Sequence, residues 1–296
     1  MKNMKKLFLV MPMLLTIMGL VACEKAVLDE QQKEMTPVEG NVIIRTSLYN
    51  IVPFETRSVQ DVADFSNTLK FVFYQNDEKV KDVTQKKNEG SYGEIGVTLQ
   101  PGTYQLLVLA HSSTSNPTVS GPSNIQFTNT TGYSDTFYYY GDLVVTSEQQ
   151  TYDVQLQRAT SMVRVTIQDA IPSEVKTIRL YYTGESGVFN AVTGMGGTTN
   201  SKQSITYNVE GMSAPLSLCA YTFLRNETGT LNMTITAYDK DNNVKAEKEL
   251  KNIPMKNCMV TEYNGNLFSG EGGGSAGAHF NLTAETEWKV FQQLSF

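Results

Sequence analysis

No stretch of this 296-residue chain sustains a helical period, while short alternating runs separated by turn residues recur along nearly all of it. Within Asn41–Phe54, Val42, Ile44 and Leu48 fall on one face and Arg45, Ser47 and Tyr49 on the other, with Ile43 breaking the alternation once. Leu69, Phe71 and Phe73 alternate in Thr68–Tyr74, and Gln75–Glu78 follows as a hairpin turn. Thr103–Ala110 is continuously apolar, as expected of a strand buried on both faces. Further runs cover 142–145, 152–156, 162–167, 176–182, 204–209, 216–223, 231–238, 244–250, 262–268, 278–282 and 288–291. A chain of this kind folds by packing sheet on sheet. The expectation is an all-β protein of two sandwiches in series, divided near residues 158–160.

The N-terminus follows a different rule. Lys2, Lys5 and Lys6 precede an apolar run from Leu7 to Ala22, which ends in Leu20-Val21-Ala22-Cys23. The run is short for a membrane span, which needs about 20 apolar residues, and Pro12 and Gly19 interrupt it. It resembles a bacterial lipoprotein signal, cut before Cys23 and acylated there, in place of an ordinary secretory signal with a chance cysteine. Acyl chains then hold the protein to a membrane, each buried methylene contributing about 0.8 kcal/mol. The expected division is a signal peptide at 1–22, a polar tether at 23–40, a first sandwich at 41–158 and a second at 159–296.

Removing residues 1–22 moves the formal charge from −6 to −9, so the chain has no electrostatic footprint for nucleic acid. Two cysteines remain beyond Cys23. Cys219 lies in an apolar run and reads as a small buried hydrophobe, Cys258 lies in a polar one, and export makes a disulfide between them an open option. His111 and His279 are far apart, with no metal-ligand spacing to cysteine or to each other, and no nucleophile elbow occurs. The residues thus point to no catalytic group, no metal and no cofactor. Gly194–Gly197 lacks a phosphate-loop lysine and reads as a mobile or sharply turned loop, and 270–275 as a flexible connector. Asp239, Asp241, Asn242 and Asn243 fit a hairpin turn better than a calcium loop, which requires glycine at its sixth position. Tyr138-Tyr139-Tyr140 fits a strand better than a sugar-stacking platform.

Several phrases taken in order carry a family resemblance. They are Leu99–Ser112, Ser134–Gly141, Leu156–Arg164, Tyr181–Gly184 with Phe189–Gly194, Tyr221–Phe223, Asn264–Phe268 and Glu287-Trp288. Following a lipoprotein signal, they resemble the fimbrillin-type subunits of type V pili, with the minor and anchor subunits most similar. The resemblance implies two tandem transthyretin-like β-sandwich domains, an outer-membrane and fimbrial location, and other fimbrial subunits as partners. It also leaves room for host or bacterial surface ligands. In polymerising members an arginine-specific protease removes the N-terminal strand, and a neighbour's strand fills the slot. Anchor members keep strand and lipid.

Carried onto this sequence, Arg57 in Glu55-Thr-Arg-Ser58 is the better candidate cut, against the alternative of a solvated loop arginine. Arg45 is a second candidate, less accessible because it lies within the strand itself. The expected function is a non-enzymatic, lipid-anchored minor or anchor subunit joined to its neighbour by strand complementation. The rivals are a shaft or tip subunit cleaved after Arg57 and a glycan-binding surface lipoprotein using Tyr138–Tyr140 and the loops. The C-terminal run 278–296, with Phe280, Leu282, Trp288, Val290, Phe291 and Phe296, either closes the second sandwich or is donated.

Overall fold

The computed structural model describes residues 39–49, 59–128, 133–197, 200–269 and 280–281. The first half supplies β1 (Val42–Tyr49), β2 (Val59–Gln60), β3 (Thr68–Gln75), β4 (Glu78–Lys86), β5 (Glu94–Val97), β6 (Gly102–His111), β7 (Thr118–Gly121), β8 (Asn124–Gln126), β9 (Thr136–Val145) and β10 (Gln150–Arg158). The second supplies β11 (Ser161–Ile167), β12 (Val175–Ser186), β13 (Val188–Asn190), β14 (Met195–Gly196), β15 (Asn200–Asn208), β16 (Leu216–Thr222), β17 (Thr228–Asp239), β18 (Val244–Lys256), β19 (Val260–Gly265) and β20 (Phe280–Asn281). The one helical element among the described residues is a 3₁₀ turn, Val62–Asp64, capped by Asp61. The fold is all-β.

Turn chemistry sets the hairpins where the sequence places them. β3 and β4 are joined by Asn76-Asp77, both at positive φ (52° and 64°), the geometry that lets a two-residue turn match the twist of its strands. Between β17 and β18, the Asp239 carboxylate accepts from the backbone N–H of Asp241 and Asn243 and from the Asn243 side chain. Those bonds, the Asn243 side chain first, hold its carboxyl at about 2. Its acceptors are spent on the turn.

The strand order is built twice. In the first half β1 lies between β5 and β10, and β4-β3-β6-β9 forms the facing sheet. In the second half β11 lies between β16 and β19, and β15-β12-β17-β18 faces it. In both, the first strand runs parallel to the last, β1 with β10 and β11 with β19. The halves differ at the far edge: β20 adds antiparallel to β19, whereas β10 meets β9 only at Gln157↔Tyr138 and Arg158↔Phe137.

Each pair of sheets encloses its own core. Val42, Ile44, Phe71, Phe73, Leu106, Val108, Leu143 and Leu156 pack inside the first. Val163, Val165, Ile178, Leu180, Ile235, Ile253 and Met255 pack inside the second. A third cluster belongs to neither. Val72, Leu107, Leu109 and Tyr138, on the outer face of β3, β6 and β9, pack against Ile125, Phe127, Phe189, Ala191 and Phe223. This is why Leu106–Ala110 is buried throughout: alternate residues serve the first core and the seam, as the continuous apolar run requires.

The seam has its own small sheet, β7-β8-β13-β14, in which β8 of the first half pairs with β13 of the second. Phe223 places its ring centroid 5.0 Å from that of Phe127 and 5.2 Å from that of Phe189. Arg158 grips Asp135 through two nitrogens, and Thr160 donates to the same carboxylate. The segment joining the halves is therefore fastened on both sides.

Candidate functional site: the first strand and its slot

β1 is the element that a strand-exchange reading makes decisive. Val42, Ile44 and Leu48 are buried in the first core, and each contributes about 1.5–3 kcal/mol on full burial. The backbone is paired on both sides: to β10 from Val42↔Gln150 to Leu48↔Leu156, and to β5 from Val42↔Val97 to Arg45↔Glu94. Beyond β5, β2 takes over the same edge at Leu48↔Gln60. Withdrawal of β1 would leave unpaired backbone on two strands above an apolar slot, the condition that another extended strand relieves.

The start and middle of β1 are fastened by side chains. The Asn41 amide pairs with both backbone groups of Leu99: its Nδ2 donates to the Leu99 carbonyl and the Leu99 N–H donates to its Oδ1, each at 2.9 Å. Gln149 donates to the Gly40 carbonyl at 2.8 Å, and the Gln150 N–H donates to the Asn41 carbonyl at 2.9 Å. Midway, the N–H and Oγ1 of Thr46 both donate to the Gly93 carbonyl, at 2.8 and 2.9 Å. Arg45 meets Glu94 at 3.2 Å on the outer face.

Of the residues singled out by sequence, Cys23, Arg57 and His279 lie outside the described residues, as does Trp288. Arg45 sits in β1 with an exposed side chain and a backbone paired on both flanks. A protease must bind its substrate extended, so cutting at Arg45 requires β1 to open first.

The disulfide option is not realised: Cys219 and Cys258 are both free. Cys219 sits in β16 opposite Arg164, while the Cys258 thiol donates to the Arg158 carbonyl at 3.0 Å. Burial pushes Cys258 up to about 11 and raises Cys219 as well, so neither is a reactive thiolate at neutral pH.

The three tyrosines do not form a platform. β9 sends alternate side chains to opposite faces: Tyr138 is buried in the seam with Tyr140 packed beside that cluster, and Tyr139 packs against the first core. Tyr138 also accepts from Gln157 at 2.7 Å and stacks edge-on against Phe189 at 4.7 Å. At Gly194–Gly197, read as a mobile or sharply turned loop, a turn ends at Gly194 and Met195–Gly196 forms β14 of the seam. Gly194 adopts φ +74° directly over the Tyr138 hydroxyl, where a Cβ would collide with it. His111 is buried at the end of β6 with both ring nitrogens unpaired, edge-on to Phe127. Burial, with Lys86 and Lys70 nearby, lowers it to about 4.

Two features escaped sequence reasoning. The seam residues Phe127, Phe189 and Phe223 are scattered over 97 positions, and no single alternating run brings them together. The fastening of β1 is the other: Gly40-Asn41 stands directly before an alternating run, but Leu99, which Asn41 meets, lies 58 residues away.

Among solved structures, the chain is similar to a candidate polysaccharide-binding protein (DUF1812) of Bacteroides thetaiotaomicron VPI-5482, at 12% identity and TM-score 0.49 over 78% of this chain and 92% of that one. The fimbrial anchor protein Mfa2 of Porphyromonas gingivalis is similar at 11% identity and TM-score 0.39, over 76% of this chain and 89% of that one. The C-terminally truncated tip fimbrial protein Mfa3 of the same organism is similar at 8% identity and TM-score 0.41, over 82% and 98%. No curated protein matches the sequence. Residues 34–292 match the model of a family of unknown function, DUF6562, and the chain belongs to that family.

Proposed function

We propose that this protein is a non-enzymatic surface subunit of the fimbrial or adhesin kind, held to the outer membrane by acyl chains on Cys23. In this reading its first sandwich (41–158) and second sandwich (159–296) act as two domains in series, and its partners are other fimbrial subunits. The observation that carries the reading is the placement of β1. The strand that follows the tether from Cys23 completes the first sandwich by backbone pairing on both edges and by burial of Val42, Ile44 and Leu48. A subunit built this way has two uses for its N-terminus: kept, it anchors; removed, it opens a slot.

The fastening of β1 at Asn41, Thr46 and Arg45 favours the kept state, and with it the minor or anchor subunit over the cleaved shaft or tip subunit. Tyr138 and Tyr139, turned toward opposite interior clusters, weigh against the glycan-binding rival so far as it draws on Tyr138–Tyr140. The test is metabolic labelling with a fatty acid followed by fractionation. Label in the outer membrane that disappears in Cys23→Ala, with the wild-type protein co-purifying with fimbriae, supports the reading. An unlabelled protein released to the medium overturns it.

A further inference from the structure

Alternation determines which face of a strand is buried but not how far along its neighbours the strand sits. A slip of β1 by one residue would turn Ile43, Arg45 and Ser47 inward, and burial of the arginine excludes it. A slip by two residues is different. It would bring Val42 and Ile44 to the places now held by Ile44 and Thr46, opposite Tyr152 and Val154, so that both stay inside, with Thr46 taking the place of Leu48 and Gly40 that of Val42. The hydrophobic pattern of β1 turns the same face inward in this register and opposes it less than the one-residue slip.

What closes it lies one residue before the strand. Opposite Leu99, the side chain must both donate to a carbonyl and accept from an N–H, as the Asn41 amide does at 2.9 Å in each direction. The slip would remove Asn41 and bring either Glu39, which accepts but cannot donate when ionised, or Ile43, which does neither. Gly40 adopts φ +144° with its Cβ position 2.5 Å from the Val97 carbonyl oxygen. Val38 or Val42 would arrive there after a slip, and neither tolerates the backbone angle or the contact. Gly96 completes the crossing, since a Cβ on it would collide with the Glu39 carbonyl. Gln149 holds the Gly40 carbonyl from the β10 side.

We infer that Gly40-Asn41, together with Gly96, Leu99 and Gln149, is a register pin that admits this chain's own first strand in one position. It discriminates against alternating strands from other subunits that lack a Gly-Asn pair. The inference rests on the reading of β1 as the strand whose retention or replacement decides the subunit's role, and it makes these five positions determinants of which strand the slot keeps.

The test uses the full mature chain with cysteine pairs on the outer face of β1 and β10, oxidised and mapped by mass spectrometry. Ile43→Cys with Thr151→Cys reports the native register, since these residues are partners. Ile43→Cys with Asp153→Cys reports the two-residue slip. In the otherwise unchanged chain only the first pair is expected to cross-link. Adding Asn41→Ala removes two hydrogen bonds and is expected to raise the slipped-to-native ratio by about tenfold or more. Asn41→Asp, which keeps the bond from the Leu99 N–H alone, is expected to fall between. An unchanged ratio in a folded Asn41→Ala chain overturns the pin. Should that variant not fold, Gln149→Ala, which loosens only Gly40, gives the same ratio, and no change there counts equally against it. Cross-linking depends on neither lipid nor fimbria, so failure of the pin is distinguishable from failure of the proposed subunit role.

Discussion

β1 and β11 hold the same place in the same strand order, each between a parallel and an antiparallel neighbour, and yet they are secured by different physics. β11 is tied into the chain at both ends by β10 and β12, and its register is marked by Arg164 facing Glu262 on β19 at 2.7 Å. That pair is withdrawn from water, with side-chain exposures of 22% and 5%. β1 follows a polar stretch of sequence, and its outer-face pair of Arg45 with Glu94 leaves the arginine 54% exposed. Its register depends on Asn41 and two glycines outside the strand. The second sandwich is fastened by a part-buried charge pair. The first is fastened by short-range bonds at the start and in the middle of β1.

The seam is where this contrast is most easily broken. Phe189 packs between Tyr138 and Phe223 with no exposure, and Phe189→Ala is expected to cost about 4 kcal/mol. Because Phe189 comes from the second half and much of its surroundings from the first, calorimetry of the wild type should show one transition. The variant should unfold in two steps. Two resolved transitions in the wild type would mean that the seam does not couple the halves.

A sharper version compares the two arginines directly. Arg164→Ala leaves Glu262 as a buried charge with its main partner gone, and denaturant titration should show a loss of about 3 kcal/mol. Arg45→Ala at the equivalent place in β1 should cost under about 1 kcal/mol. Equal losses would remove the distinction between the strands.

His111 adds a pH dependence that belongs to the first half alone. It is lowered to about 4 in the fold by burial, with Lys86 and Lys70 as the nearby charges, against about 6.5 in an unfolded chain. Protons therefore bind the unfolded chain first as pH falls. The contribution is complete above about pH 6.5 and is lost progressively down to about pH 4, amounting to about 3 kcal/mol. The difference between wild type and His111→Leu in denaturant titrations over that range isolates it. Parallel curves for the two proteins would show that His111 is charged in the fold or exposed.

How much of this was legible in the sequence follows from the length of each signal. Alternation over six or more residues marked β1, β3, β11 and β17, and the Asn76-Asp77 and Asp239–Asn243 turns were readable from residue type. β4 was missed because its residues Glu78–Lys86 are mostly charged and exposed, an edge strand without an apolar face. The seam strands β7, β8, β13 and β14 have two to four residues each, too few for any period to register, so their segments read as loops. The slot itself was legible, through Val42, Ile44 and Leu48. Its pin was not, because the demand for an amide at residue 41 arises only when Leu99 is brought opposite, 58 residues away.

The most direct test of β1 as a kept strand is mass measurement of the N-terminus of this protein taken from washed fimbriae. An acylated Cys23 followed by an uninterrupted chain through Arg45 and Arg57 is the expected result. A population beginning at Ser58 would contradict it, because β1 would then be a transit segment and the slot would belong to another subunit's strand.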